Sequence, residues 1–145
     1  MSTLISRRPT PPPQRPRTGR APLPWLLIGL ELVTGVGAVG GAVYLIAGGA
    51  GMDPALLSST PFTGWAWPGV ALAIVVAIPM LVAAGAEWLR TRWASRASLA
   101  SGVSLLVWIT IQVALIGFQT SLQPALFLVG LAVTALATPR AISER

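Results

Sequence analysis

The sequence predicts an all-α membrane protein: an antiparallel bundle of four transmembrane helices with both termini on the cytoplasmic side (N-in/C-in). Hydrophobic residues make up 54% of the 145 residues and charged residues only 10%, against roughly 25% charged residues in a soluble domain. Four apolar stretches approach the length that a bilayer-spanning helix needs. The basic residues, all of them arginine, fall on one side of the resulting four-span arrangement.

The four predicted spans cover residues 23–47, 67–86, 98–118 and 122–138. The fourth span is short, and we expect it to end at Pro139-Arg140, because proline interrupts helical hydrogen bonding. The transmembrane domain is therefore predicted over residues 23–139. Residues 1–22 are rich in proline and arginine, which predicts a disordered cytoplasmic tail, and residues 140–145 are predicted to form a short cytoplasmic C-terminal tail.

The positions of the arginines predict the topology. They precede span one, separate spans two and three, or follow span four: Arg7, Arg8, Arg15, Arg17, Arg20, Arg90, Arg92, Arg96, Arg140 and Arg145. The other two connections, residues 48–66 and 119–121, contain no arginine. Because cytoplasmic loops are enriched in basic residues, we expect a multi-pass protein of the inner (plasma) membrane. In the longer arginine-free connection, Asp53-Pro54 predicts the start of one short interfacial helix.

Each span carries a face of small and polar residues when its sequence is plotted at 100° per residue. Membrane helices pack through such faces, because small side chains allow close approach and polar ones bond across the interface. The predicted inward faces are Glu31, Thr34, Gly35, Ala38 and Ala42 in span one; Gly69, Ala73, Ala77, Ala84 and Glu87 in span two; Ser101, Ser104, Trp108, Gln112 and Gln119 in span three; and Gln123, Gly130, Thr134 and Ala137 in span four.

Span one has a second small face, formed by Gly37, Gly41 and Gly48. Gly37 and Gly41 have the GxxxG spacing that is common at helix–helix contacts in membranes. Two interpretations remain open: this face contacts a second neighbour inside the bundle, or it is the seam of a homodimer.

Glu31 is the most informative single residue, because a carboxyl inside a membrane span is costly and is expected to face inward with a partner. We expect it to contact the Trp108 Nε1 or the Ser104 hydroxyl, which lie at a similar depth. Pro79 leaves the carbonyl near Val75 without its helical donor, and we expect that only a protonated Glu31 could donate a hydrogen bond to it. Glu31 is interpreted as a packing group, as a proton- or cation-linked site, or as a contact for a polar head group or substrate.

Two further polar groups are predicted near the span ends. Gln112, Gln119 and Gln123 form a cluster whose amides could bond each other across spans three and four, or line a pocket open to the outside. Glu87 and Arg90 are expected to form a surface ion pair of little energetic weight.

The amino-acid composition excludes several kinds of catalytic and metal-binding site. The chain has no Cys and no His, and it has no Lys, so thiol redox chemistry, the usual zinc or iron sites and Schiff-base catalysis lack their residues. We therefore predict no cofactor, no metal and no catalytic set, hence no enzyme. Nucleic-acid binding is not expected, because the arginines of the tail have no aromatic residues between them and no folded platform.

The segments TPFTGWAWPGVAL and VWITIQVALIGFQTSLQPALFLVGL resemble those of small four-span bacterial integral membrane proteins of uncharacterised function. The resemblance covers residues 25–138 and implies a topology without an activity. A similarity to DoxX-like four-helix membrane proteins rests on helix number and size.

The function predicted from the sequence is that of a non-catalytic accessory or structural membrane component. Its partners are the lipid bilayer and either another membrane protein or a second copy of the chain. The alternative is a small oligomeric transporter or channel with a polar path at Glu31 and Gln112.

Overall fold

The computed structural model describes residues 22–58 and 60–143, and every regular element within these ranges is helical. Four helices are long and apolar enough to cross a membrane: α1 (Leu23–Gly48), α2 (Ala66–Trp88), α3 (Ala94–Ile116) and α4 (Leu122–Ser143). The predicted all-helical fold with four apolar helices is thus confirmed. The predicted tail over residues 1–22, apart from Pro22, and the terminal Arg145 lie outside the described residues.

Large apolar side chains cover the outer faces of all four helices. Val33 on α1 is 75% exposed and Leu128 on α4 is 65% exposed, and Ile74 and Val107 project similarly from α2 and α3. A soluble monomer rarely leaves such a continuous apolar surface in contact with water. The outer surface of the four helices therefore suits a lipid environment.

Helix α1 packs along α2, and α3 packs along α4. A smaller contact joins α2 to α3, and a lesser one joins α1 to α4. The central apolar core lies where the first three helices meet, and its buried members are Ala38, Val76, Ala77, Met80, Leu105 and Ile109. This core separates the two ends of the helix assembly.

Glycines allow close approach at both helix pairs. A Cβ at Gly69 would lie 2.9 Å from the Ala42 carbonyl oxygen on α1, and a Cβ at Gly102 would lie 2.9 Å from the Thr134 backbone nitrogen on α4. Both distances are too short for a side chain with a Cβ, so glycine is required for the observed backbone separation. Gly35 and Gly130, which were predicted as packing positions, lie against the side chains of Leu81 and Leu106.

Helix α2 contains one π-helical turn, Ala73–Ala77, between the α-helical segments Ala66–Leu72 and Ile78–Trp88. Pro79 follows this turn and has no N–H to give to the carbonyl of Val75, four residues earlier. The Ser104 hydroxyl on α3 donates a hydrogen bond to that carbonyl at 2.5 Å. A neighbouring helix thus satisfies the group that the proline leaves without its helical donor. The prediction that only a protonated Glu31 could donate to this carbonyl is wrong.

Two helix boundaries differ from the prediction by about four or five residues, and the others agree to within about two. Helix α4 does not end before Pro139; it continues through the proline to Ser143. Pro139 removes only one hydrogen bond, and burial of Ala141 together with an ion pair of Arg140 holds the last turn in place. Helix α3 begins at Ala94 rather than at residue 98. The apolar stretch in the sequence begins only after Arg96, but a charged residue does not end a helix.

The connection between α1 and α2 closes one end of the molecule. It contains the short 3₁₀ turns Gly49–Gly51 and Pro54–Leu57, and the Asp53 carboxylate caps the second turn by accepting a hydrogen bond from Ala55 N at 2.8 Å. The predicted interfacial helix is therefore a single 3₁₀ turn. Leu45, Leu57 and Trp65 form a small buried apolar cluster beneath it.

Candidate functional site

The strongest polar contact in the described part of the chain joins α2 to α4. The Arg140 guanidinium donates to both oxygens of Glu87, with Nη1–Oε1 at 2.8 Å and Nη2–Oε2 at 3.1 Å. The Glu87 residue is only 4% exposed. The predicted surface ion pair of Glu87 with Arg90 is wrong, because Arg90 lies in the turn after α2 and is exposed.

Ser98 on α3 extends this contact toward α1. Its hydroxyl donates to Glu87 Oε1 at 3.4 Å, and Ser98 is completely buried. Glu31 on α1 is also completely buried and interacts electrostatically with Ser98, Glu87 and Arg140. These four residues, Glu31, Glu87, Ser98 and Arg140, form what we call the Glu31 cluster, to which each of the four helices contributes one side chain.

The hydrogen-bond partner predicted for Glu31 is wrong. Ser104 gives its hydroxyl to Val75, and Trp108 Nε1 has no hydrogen-bond partner among the described residues. Ser98 lies close enough to interact with the Glu31 carboxyl, but no hydrogen bond of ordinary geometry reaches either of its oxygens within the described ranges. Glu31 faces inward, as predicted, but the side chains around it are not the predicted ones.

The cluster contains one ion pair and one carboxyl with unused bonding capacity. Glu87 is engaged by a bidentate guanidinium, whereas both oxygens of Glu31 remain available as acceptors or for a proton. Across the described residues, no group of three or more Asp, Glu, His or Cys side chains could hold a metal ion. The arrangement can tie helices together and can bind a proton or a small cation at Glu31; a nucleophile with an adjacent base is not assembled within it.

A cavity of about 610 Å³ opens beside the ion pair. It is formed by the start of α1, the end of α2, the turn that follows α2, the start of α3 and the end of α4. We call this part of the molecule the arginine end. The rings of Trp25 and Trp88 meet there edge to face, with centroids 5.7 Å apart, and Glu87, Arg90 and Arg140 supply the charges of its wall.

The opposite end, which we call the arginine-free end, is held by amides. Gln123 Oε1 accepts from Gln119 N at 2.8 Å, and Gln123 Nε2 donates to Gly117 O at 3.3 Å. The Gln119 side chain donates to Ile116 O. Two of the three predicted glutamines thus stabilise the connection from α3 to α4, while Gln112 is half-buried on α3 and does not join them.

The buried face of α3 is rotated by roughly a quarter turn from the predicted one, at 100° per residue. Of the predicted face, Ser101 is buried as expected, whereas Ser104, Trp108 and Gln112 are half-buried and Gln119 is exposed. The other buried residues along this face are Ser98, Gly102, Leu105 and Ile109. The prediction favoured polar residues, but Leu105 and Ile109 fit the apolar core and Gly102 fits against α4. The i, i+4, i+7, i+11 spacing from Ser98 to Ile109 was the signal that could have revealed this face.

The second small face of α1 is open. A Cβ added at Gly37 or at Gly48 would meet nothing within 4 Å, whereas one at Gly41 would lie 3.3 Å from Leu72. Gly41 therefore contacts the neighbouring helix as one interpretation required, but Gly37 and Gly48 do not. Gly40 is likewise exposed with open space before it.

Comparison with known proteins identifies no relative: no family model, no curated protein and no solved structure matches this chain.

Proposed function

We propose that the chain is a multi-pass protein of the inner (plasma) membrane, an antiparallel four-helix bundle with both termini cytoplasmic, and that it serves as a non-catalytic accessory or structural component of a membrane assembly. The apolar outer faces of the four helices support the membrane location. The clustering of arginine in the connections of one side supports the orientation.

The observation that carries the accessory role is the open small-residue side of α1. Gly37 and Gly40 are exposed, and no other helix among the described residues lies within 4 Å of a Cβ built on either. In lipid, helix association depends on close packing and backbone approach rather than on the hydrophobic effect, and glycine permits that approach. This side of α1 can therefore receive a helix of another membrane protein.

The polar side chains also support a non-catalytic role. Glu87 and Arg140 neutralise each other, Ser98 donates to Glu87, and Ser104 donates to a backbone carbonyl. Each of these groups is used to join two helices. A general acid or base needs a free and accessible group near a substrate. These contacts occupy all four groups, and Glu31, whose oxygens have no partner among the described residues, is completely buried.

The test is affinity purification of the full chain from its native membrane in mild detergent, followed by mass spectrometry of the proteins that remain bound. We expect one membrane protein to co-purify with the wild type. The variant Gly37→Leu/Gly40→Leu should lose it, because bulky side chains keep the helices apart. The control Ala114→Leu places a leucine on the exposed face of α3 and should retain the partner.

Equal retention by the Gly37→Leu/Gly40→Leu variant and by Ala114→Leu would contradict the proposed α1 contact. Loss of the partner in both variants would also contradict the proposed α1 contact, because a bulky side chain anywhere on the surface would then be enough to release the partner. If the protein that dissociates from the glycine variant is a second copy of the chain, the surface is a homodimer seam instead.

A second candidate function is a small oligomeric transporter or channel that uses Glu31. The observation in its favour is that both oxygens of this fully buried carboxyl lack a hydrogen-bond partner among the described residues, and ionisable groups inside membrane domains often mark ion pathways. Against a path through one copy, the apolar core around Met80 and Leu105 lies between Glu31 and the depth of Gln112. This function therefore requires a path formed between copies.

Reconstitution distinguishes the two candidates. Vesicles that contain the wild type and a trapped pH-sensitive dye should show the same proton leak as vesicles that contain Glu31→Gln if the chain is an accessory component. A proton flux present with the wild type and absent with Glu31→Gln would favour the transporter.

A further inference from the structure

The cavity at the arginine end joins an apolar wall to a cationic rim. Leu23, Trp25 and Ile28 on α1 supply apolar surface, and Trp88 continues it from α2. Arg90, Thr91 and Arg140 lie on the polar side. A volume of about 610 Å³ falls within the range of known small-molecule sites, roughly 300–1,000 Å³. The volume and the lining residues both match an amphiphile rather than a fully polar solute.

Arg90 is the distinctive residue of this cavity. It has φ +53°, and it is the one non-glycine residue with a positive φ in the described part of the chain. Thr91 N bonds to Ala86 O at 3.0 Å and Arg90 N bonds to Glu87 O at 3.1 Å, so Arg90 occupies the position after the helix where glycine is usual. An arginine in a conformation that glycine adopts at lower cost indicates that its side chain serves a purpose there.

The charges in the cavity leave one cation uncompensated. Glu87 is matched by Arg140 through two hydrogen bonds. The Arg90 guanidinium has no hydrogen-bond or ion-pair partner among the described residues. An anionic group is therefore the complementary occupant, and a guanidinium binds phosphate oxygens in a bidentate manner.

We propose that this cavity binds the head group of an anionic phospholipid, with the phosphate on Arg90 and the glycerol and upper acyl chains against Trp25, Trp88 and Ile28. Four apolar helices end around the cavity, and tryptophan and arginine are the residues that occupy the membrane–water boundary. Basic pockets between transmembrane helices on the cytoplasmic side bind such head groups. The proposal rests on the membrane location proposed above and is independent of the accessory role.

The test is native mass spectrometry of the full chain in detergent, with phosphatidylglycerol or phosphatidylcholine added at equal concentration. We expect the wild type to retain phosphatidylglycerol in preference to phosphatidylcholine. Arg90→Gln should lower that preference about fivefold, the effect of one arginine near anionic lipid. Arg92→Gln, an exposed residue of the same connection that does not line the cavity, should keep it.

Arg90→Gly provides a variant whose folding is not in doubt, because glycine favours the backbone conformation at this position. It should unfold at the same temperature as the wild type or at a higher one, and it should still lose the lipid preference. Millimolar inorganic phosphate should not displace the lipid; displacement would identify a site for free phosphate instead.

Equal loss of preference in Arg90→Gln and Arg92→Gln, or no preference in the wild type, would overturn the proposed lipid site. Neither result would test the membrane location, which is measured independently by cell fractionation.

Discussion

The two ends of the molecule are held together by different chemistry. At the arginine end, a buried carboxylate of α2 meets a guanidinium of α4 across 53 positions of sequence, and a buried serine of α3 joins them. At the arginine-free end, the bonds of Gln119 and Gln123 span three to six residues. The first end depends on tertiary structure and the second on local turns, so the first should respond more strongly to substitution.

The largest expected effect is at Arg140. Arg140→Ala leaves the Glu87 carboxylate buried without its cation, which costs about 3 kcal/mol in measured cases. We expect a marked fall in the thermal unfolding temperature, measured in detergent by circular dichroism. Arg92→Ala, at an exposed site, should leave that temperature unchanged. A double-mutant cycle with Glu87→Gln isolates the pair. Near-additive effects in that cycle would contradict the proposed coupling.

The next largest effect is expected at Gly102, where α3 and α4 approach each other closely; these two helices connect the two ends of the molecule. Gly102→Ala should destabilise the protein by about 2 kcal/mol, because the methyl group would overlap backbone atoms of Thr134 and the helices must separate. Gly85→Ala is the matched control, since a Cβ there would meet nothing within 4 Å. Equal unfolding temperatures for the two variants would show that α3 and α4 do not pack as described.

Glu31 should give an effect of opposite sign. A buried carboxyl without a hydrogen bond opposes folding, so replacement by an apolar residue of similar size should stabilise the protein, by about 1 kcal/mol. We expect Glu31→Leu to unfold at a higher temperature than the wild type. A fall comparable to that of Arg140→Ala would mean that Glu31 shares the ion pair and is part of the same structural lock.

The smallest effect is expected at the arginine-free end. Gln123→Leu removes two hydrogen bonds to backbone groups, and bonds of this kind in membrane proteins contribute about 0.6 kcal/mol on average. The unfolding temperature should fall slightly, by less than in Arg140→Ala. If it falls more, the local turns rather than the buried ion pair dominate the stability of the assembly.

The helices were predictable from the sequence, and the partners of the polar side chains were not. Lipid-spanning segments are long and apolar, so their number and approximate position follow from hydropathy. The inward position of Glu31 and the free carbonyl left by Pro79 also followed from simple rules. Hydropathy, however, does not tell which face of an apolar helix is buried, because lipid and protein interior are equally apolar.

That ambiguity explains the error at α3, and the error at Glu87 has a different cause. The face of α3 that carries Ser104 and Trp108 was predicted to be buried because it is polar. The structure instead buries Ser98 and Gly102, whose small side chains fit between the packed helices. Arg90 was assigned to Glu87 by proximity in sequence. The actual partner, Arg140, could reach Glu87 only because α4 continues beyond Pro139, where the prediction ended the helix.

The proposed topology, in which the chain crosses the membrane four times with the arginine end in the cytoplasm, is tested most directly by cysteine labelling. The chain contains no cysteine, so each introduced thiol reports one position. With a membrane-impermeant maleimide on intact cells, Thr63→Cys in the arginine-free connection should react. Leu89→Cys and Ser143→Cys at the arginine end should react only after the membrane is opened. Labelling of Leu89→Cys in intact cells, or protection of Thr63→Cys, would contradict the proposed topology.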